Sequence, residues 1–501
     1  MLLLAPSLLR TSQGFIGVFL IPAVLSAQPQ TALVVIEDAL GNQVDIRDVF
    51  NRYLSQKGEW EATKTGKMGR LSKCFGGPKK STVTVKLEIT GMQIVHVGSE
   101  DCPASPEDIC DFVKSVTAHE DYGTVACTES SKITSFPLGE TETSASLGCR
   151  WRAGWSPENM LDYPPNDRLF VNQTTFFNAL RINETWKRVR TAGLPRNDVV
   201  LAVLDSGVAV DHPDLKGRLL KGLDASGGPR ASLKDNNGHG TAVAGIIAAN
   251  INNRFGTAGI ADKVKVRPIR ITDRSDNRAD LAKIASAWEA ALKTGSTDII
   301  VYAYASPFTR ELSFFFKRLL KKTVKKGILV VTSAVNSDKV DSSSEVSLPC
   351  ALANGLPGVL CVAATLSNKT TVLANDASKL ASFGLPGTDI LKLTPEREGD
   401  DWAFVMGRGS SFATAAAAGI VGLMKSFKNF SPEETERILL NSTEATVTTK
   451  SGSEMTYGVL RPDLAVTQAI AEVRRSRRAL GAVGTGARQQ TRREQALGCF
   501  S

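Results

Sequence analysis

Two hydrophobic rhythms divide the chain. Between residues 28 and 136, TALVVIED and STVTVKLEITGMQIVHV have the β-branched density of strands, the second folding back near Thr90 and Gly91. Residues 106–119 instead place Ile109, Phe112, Val113 and Val116 at helical spacing, and GTVACTES returns to strand. This order predicts a small α+β unit. Residues 137–166 lose the pattern, are rich in Gly, Ser and Pro, and read as a linker.

From residue 167 the character changes. VVLAVLDSG, KVKVRPIRI, TDIIVYAYAS, GILVVTSAV and GVLCVAAT are short, continuous apolar runs, with helical stretches between them at residues 279–293 and 311–326. Continuous apolar strands alternating with helices predict an α/β domain over residues 167–471, with a doubly wound parallel sheet covered on both faces. Residues 472–501 follow as a basic tail.

Residues 15–25, FIGVFLIPAVL, are apolar but too few to span a bilayer, which needs about 20. With Arg10 before them and Ser26-Ala27 after, they read as the core of a secretory signal over residues 1–27. The expectation is a secreted protein with no stable membrane span. Sequons at Asn172, Asn183, Asn368, Asn429 and Asn441 permit glycosylation.

The 501 residues, 42% of them hydrophobic and 22% charged, exclude a collagen, a low-complexity chain and a polytopic membrane protein. The net charge of +9 changes meaning once located: seven arginines lie after residue 473 against one acid, Glu494. No aromatic residue interleaves with them, so the tail has no stacking platform for bases and nucleic acid is not the expected partner. Of the eight cysteines, five (Cys74, Cys102, Cys110, Cys127, Cys149) precede residue 150, an odd group whose connectivity spacing cannot decide. Cys350 and Cys361 are a close pair that an oxidising compartment would join, and Cys499 sits in the tail.

Three segments combine reactive side chains with glycine in a way core packing does not require. VVLAVLDSGVAVDHPDL puts Asp205 at the carboxyl end of a buried strand, where α/β proteins build their sites. DNNGHGTAVAGIIAAN sets His239 between two glycines at a helix start, and GRGSSFATAAAAGIVGLM opens a helix of small residues with Ser411. Singly, these are a turn, a loop histidine and a helix cap. Together they supply a carboxylate to hold an imidazole, a base for a serine proton, and helix-start N–H groups for an oxyanion.

In that order, the three segments resemble the signature blocks of the subtilisin-like serine proteases. The resemblance spans residues 165–471 and implies a serine endopeptidase acting on protein or peptide substrates through an acyl-enzyme. It implies that Asp205 orients the imidazole, His239 is the general base and then acid, Ser411 is the nucleophile, and Asn336 completes the oxyanion hole. One departure is Ala415, where the family has proline. Ala303, Tyr304, Ala305, Ala334 and Val335 would line the substrate pocket, with Ala305 and Val335 standing where the family pattern has glycine. The pocket is therefore expected to be narrow.

The leading unit resembles the family's propeptide, so a self-processed proenzyme is expected, cut near residues 133–138 and bound by its own propeptide. Asp214, in HPDL, and Asn253, in NINNRFGTAG, match residues that bind structural Ca²⁺ in the family. Two rival readings belong to other classes. One is a catalytically silent scaffold of the same fold that binds a protein partner. The other, a nucleotide-binding α/β protein, lacks any glycine-rich phosphate loop.

Overall fold

The computed structural model describes residues 30–57, 66–75, 84–117, 122–130, 134–135, 141–149, 161–227, 231–336, 347–374, 380–448, 452 and 454–497. The expected signal sequence lies outside them. So do most of the residues where the cut is expected.

The amino-terminal unit is built from β1 (Gln30–Asp38), α1 (Ile46–Lys57), α2 (Gly66–Phe75), β2 (Thr84–Leu87), β3 (Met92–Val97), α3 (Pro106–Thr117) and β4 (Tyr122–Glu129). Its sheet has the antiparallel order β2-β3-β1-β4. One face makes the unit's own core with the helices, through Val34, Ile36, Phe50, Leu71, Phe112 and Val113. Disulfides join Cys74 to Cys102 and Cys110 to Cys127.

Two short connections follow, β5 (Thr134–Ser135) and β6 (Thr141–Cys149). The latter falls in the stretch expected as a linker. Its Ser/Thr-rich sequence shows little hydrophobic alternation, and it forms a strand through backbone pairing with β18.

The large domain contains α4 (Thr174–Ala179), α5 (Ile182–Arg190), β7 (Val199–Asp205), β8 (Leu223–Asp224), α6 (His239–Ala248), β9 (Val264–Arg270), β10 (Ala279–Asp280), α7 (Leu281–Lys293) and β11 (Ile299–Tyr302). It continues with β12 (Ser306–Pro307), α8 (Arg310–Lys325), β13 (Leu329–Ser333), β14 (Ser347–Leu348), β15 (Val359–Thr365), β16 (Phe383–Pro386), β17 (Ile390–Glu398), β18 (Asp401–Arg408) and α9 (Ser410–Lys425). Last come α10 (Pro432–Leu440), β19 (Thr443–Glu444), β20 (Val459–Leu460) and α11 (Pro462–Leu497), which runs without a break from the domain into the basic tail.

Nine strands form one sheet in the order β19-β20-β16-β15-β13-β11-β7-β9-β8, parallel except at the β19–β20 edge. Alternate β7 residues serve opposite faces: Leu201 and Val203 meet α6 and α9, while Ala202 and Leu204 meet α7 and α8. The chain leaves β7 toward the β9–β8 side and leaves β11 the opposite way, through β13 and β15. The crevice at the carboxyl ends of β7 and β11 is therefore a topological switch point, the place such sheets leave open for a site. Cys350 and Cys361 are joined, as expected of a close pair in an oxidising compartment.

The amino-terminal sheet lays its second face on α7 and α8. Leu33, Val35, Leu87, Met92 and Ile94 share one buried cluster with Trp288, Phe315 and Leu319. The buried Glu289 carboxylate, on α7, accepts the Ile89 and Thr90 N–H groups at 2.8 and 2.9 Å. Arg318, on α8, donates to the Thr90 carbonyl and to Glu37.

Candidate active site

Asp205 is the last residue of β7, and only 1% of it is exposed. Its Oδ1 accepts the Ser206 N–H at 2.7 Å. His239, the first residue of α6, sets Nδ1 at 2.7 and 2.8 Å from the two Asp205 oxygens. That contact requires α6 to come very close to the end of β7. A Cβ at Gly240 would stand 2.2 Å from the Gly207 carbonyl oxygen, and Gly207 itself turns the chain at φ +117°. The glycines around His239 and after Asp205 therefore have a steric cause.

A residue not singled out from sequence holds this junction. Buried Asp235 accepts the Ser206 hydroxyl at 2.8 Å and the Gly238 N–H at 2.7 Å on one oxygen. Its other oxygen accepts the Thr241 N–H and hydroxyl at 2.9 and 2.7 Å. One carboxylate thus satisfies orphan donors at the start of α6 and ties them to the turn after β7. The available signal was an acid in the polar loop just before the Gly-His-Gly.

Ser411 is the second residue of α9, and its Oγ donates to the Ala303 carbonyl at 3.1 Å. The His239 ring lies between two aromatic rings. Phe412, next to Ser411, stacks at 6.1 Å between centroids, and Tyr304 meets it edge-on at 5.7 Å. The Tyr304 hydroxyl lies 3.5 Å from Asp205 Oδ1 and bonds Asn277 Oδ1. Asn336 follows β13, and its Oδ1 accepts the Ser410 N–H at 2.9 Å. The structure thus gathers Asp205, His239, Ser411 and Asn336 from four separate segments. α9 runs unbroken through Ala415. Ala303, Tyr304, Ala305, Ala334 and Val335 are all buried along the two strand ends beside them.

The sequence model of the subtilase family matches residues 196–460. The chain belongs to the subtilase family. It is similar to the major intracellular serine protease of Bacillus subtilis (strain 168), 29% identical over 277 residues that cover 54% of this chain and 81% of that one. It is also similar to subtilisin BL of Lederbergia lenta, 30% identical, covering 46% of this chain and 78% of that one. Thermitase of Thermoactinomyces vulgaris is 26% identical, covering 53% and 86%. Among solved structures, a protease from Pseudoalteromonas arctica PAMC 21717 superposes with TM-score 0.50 at 22% identity, over 61% of this chain and 99% of that one, a likeness of fold. This subtilase is a subtilisin-like serine endopeptidase, an α/β protein.

The subtilase also brings Asp214 and Asn253 into contact. Asp214 is fully buried; its oxygens accept the Asn253 side-chain N–H at 2.7 Å and the Thr257 N–H at 2.9 Å. Burial, with Asp167 nearby, pushes its carboxyl well above the usual carboxylate range, and burial lifts Asp167 to about 7. Arg218 is near but bonds Asn250 and the Asp262 carbonyl. Among the described residues no three His, Cys, Asp or Glu side chains cluster as a metal site, and no helix is long and apolar enough to cross a membrane.

Proposed function

We propose that Asp205, His239 and Ser411 form the catalytic triad of a secreted proenzyme that cuts its own chain before it cuts other polypeptides. The observation that carries this reading is the seating of His239. With Nδ1–H pledged to buried Asp205, the imidazole is held in the tautomer whose Nε2 can take a proton. For attack, the Ser411 hydroxyl turns from the Ala303 carbonyl to that nitrogen, and Oγ adds to the substrate carbonyl carbon. The resulting oxyanion meets the start of α9 and the Asn336 amide, whose nitrogen lies opposite the oxygen engaged by Ser410. Collapse expels the amine, protonated by His239, and water then releases the acyl group by the same steps in reverse roles.

The chain's own course supports self-processing. β5 pairs with β10, Ser135 opposite Ala279, just beyond the Asn277 that bonds Tyr304. β6 pairs with β18, Thr141 opposite Arg408, three residues before Ser411. The chain reaches one side of the site at residue 135 and departs from the other at 141. Six Cα steps can span at most about 20 Å. The cut therefore falls between Ser135 and Thr141, a window overlapping the carboxyl end of the stretch expected from sequence. On this reading the amino-terminal unit is the propeptide, bound through Glu289 and Arg318. Three disulfides suit the secretory compartment.

A structural Ca²⁺ fits the Asp214 region. A fully buried carboxylate with only neutral hydrogen-bond donors is costly unless a cation joins it. Asp214 is a hard donor of the right kind, and the Asn253 side-chain oxygen, which accepts the Phe255 N–H at 2.9 Å, would join it only by exchanging that bond and its own donation to Asp214 for the ion. The ion would supply charge balance to the loop and no chemistry at Ser411.

Ser411→Ala tests the whole reading. The variant is expected to accumulate as uncut precursor and to lack peptidase activity; a variant that matures when expressed alone would refute both the nucleophile and self-cleavage.

A further inference from the structure

We propose that the edge of β18 opposite β17, which residues 141–149 cover as its first occupant, is a docking edge for the polypeptide segment that follows the cut bond. This rests on the reading of Ser411 as the nucleophile. β17 and β18 form a hairpin whose Ile390, Leu391, Leu393, Trp402 and Phe404 are buried in the main core. β17 covers one edge of β18. The other edge carries β6 in an antiparallel ladder from Thr141 opposite Arg408 to Cys149 opposite Trp402, with one bulge between Val405 and Met406. A chain leaving Ser411 is therefore carried along all of β18, well beyond the bonds that react.

Such pairing uses backbone N–H and C=O groups and is indifferent to most side chains, so another extended polypeptide can take the same edge. Selectivity comes from two places. Leu147, opposite Phe404, packs partly buried against the main core. Proline is absent from residues 141–149, and within a ladder it would remove a donor. The favoured substrate is an unfolded segment that continues nine to fourteen residues after the cut, without proline in its last nine and with an apolar residue where Leu147 stands. A bare edge would also invite association with other chains, which the enzyme's own segment prevents until a substrate displaces it.

The probe is the nonapeptide TETSASLGS, which copies residues 141–149 with serine for the final cysteine and carries a fluorophore at its carboxyl end. The protein is the full chain with Leu147→Ser, which loosens its own strand without touching the reacting groups. The peptide should raise fluorescence anisotropy on mixing. Adjacent strand residues point their N–H groups to opposite edges. Proline at the Ser146 or at the Leu147 position of the peptide should therefore weaken binding, about tenfold in at least one of the two.

Two substrates share the residues before the cut; one ends two residues after it, the other continues through the nonapeptide. The longer should have a kcat/KM about tenfold higher in Leu147→Ser and show a smaller advantage in the unaltered chain. Absence of peptide binding together with equal kcat/KM for both substrates overturns the docking strand. Peptide binding with neither substrate cut leaves the docking strand standing and overturns the reading of Ser411 as the nucleophile. Hydrogen exchange in the unaltered chain is a second check: β18 amides exchanging as fast as a solvent-facing edge would overturn the ladder itself.

Discussion

Asn336 Oδ1 accepts the backbone N–H of Ser410 at 2.9 Å, so the end of β13 is tied to the start of the helix that carries Ser411. The bond sets the plane of the Asn336 amide and aims its N–H groups away from Ser410. Asn336→Ala should therefore lower kcat by about 10²–10³, or about 2.7–4 kcal/mol of barrier, with a small change in KM. Steady-state kinetics on a peptide substrate decide this. An equal loss in affinity for a ground-state inhibitor would show instead that Asn336 shapes the cleft.

The acyl-side pocket should favour small residues. If Ala305 and Val335 stand on the pocket wall where the family pattern has glycine, each adds a side chain to it; both are buried, and Val335 is β-branched and stiff. Wild-type enzyme is expected to select Ala, Ser or Val before the cut bond, and Val335→Gly to shift the preference toward larger residues. The contrast should be graded, since one methylene of fit is worth about 1–3 kcal/mol. Peptide libraries read by mass spectrometry would refute the narrow pocket if wild type selected Phe, Tyr or Leu.

Chelation should lower thermal stability. If Ca²⁺ balances the charge of Asp214, EDTA should reduce the Tm, excess Ca²⁺ should restore it, and Asp214→Asn should be insensitive to both. Scanning calorimetry with and without chelator measures the difference; identical Tm values in the unaltered chain would remove calcium from this site.

Mild acid should loosen the amino-terminal unit. Burial holds the His96 imidazole below its ordinary value, more strongly than nearby Asp280 raises it. A group whose folded pKa is depressed contributes stability above its unfolded value, near 6.5, and loses it as the pH falls through the folded one. Between pH 7 and pH 5 the urea midpoint of the Ser411→Ala precursor should therefore fall relative to that of the same precursor carrying His96→Leu. His96→Leu should flatten that dependence, and an unchanged pH profile in that variant would assign the effect to other groups.

The sequence by itself determined the five central strands of the large sheet, the helices over residues 279–293 and 311–326 and the three reactive segments, because each has a local cause. A buried parallel strand must be apolar along its length, and the close approach of α6 to β7 admits only glycine beside His239. Only the tertiary structure decided which distant groups meet. Asp235 has the appearance of any loop acid, yet it joins the Ser206 turn to the start of α6. Glu289 sits on a helix two hundred residues from the Ile89 N–H it accepts, a separation that leaves no local trace. The disulfide partners before residue 150 were undecided for the same reason. Residues 141–149 are the clearest case. Their polar composition reads as a linker, and what makes them a strand is the row of backbone donors and acceptors offered by β18, some 260 residues farther along the chain.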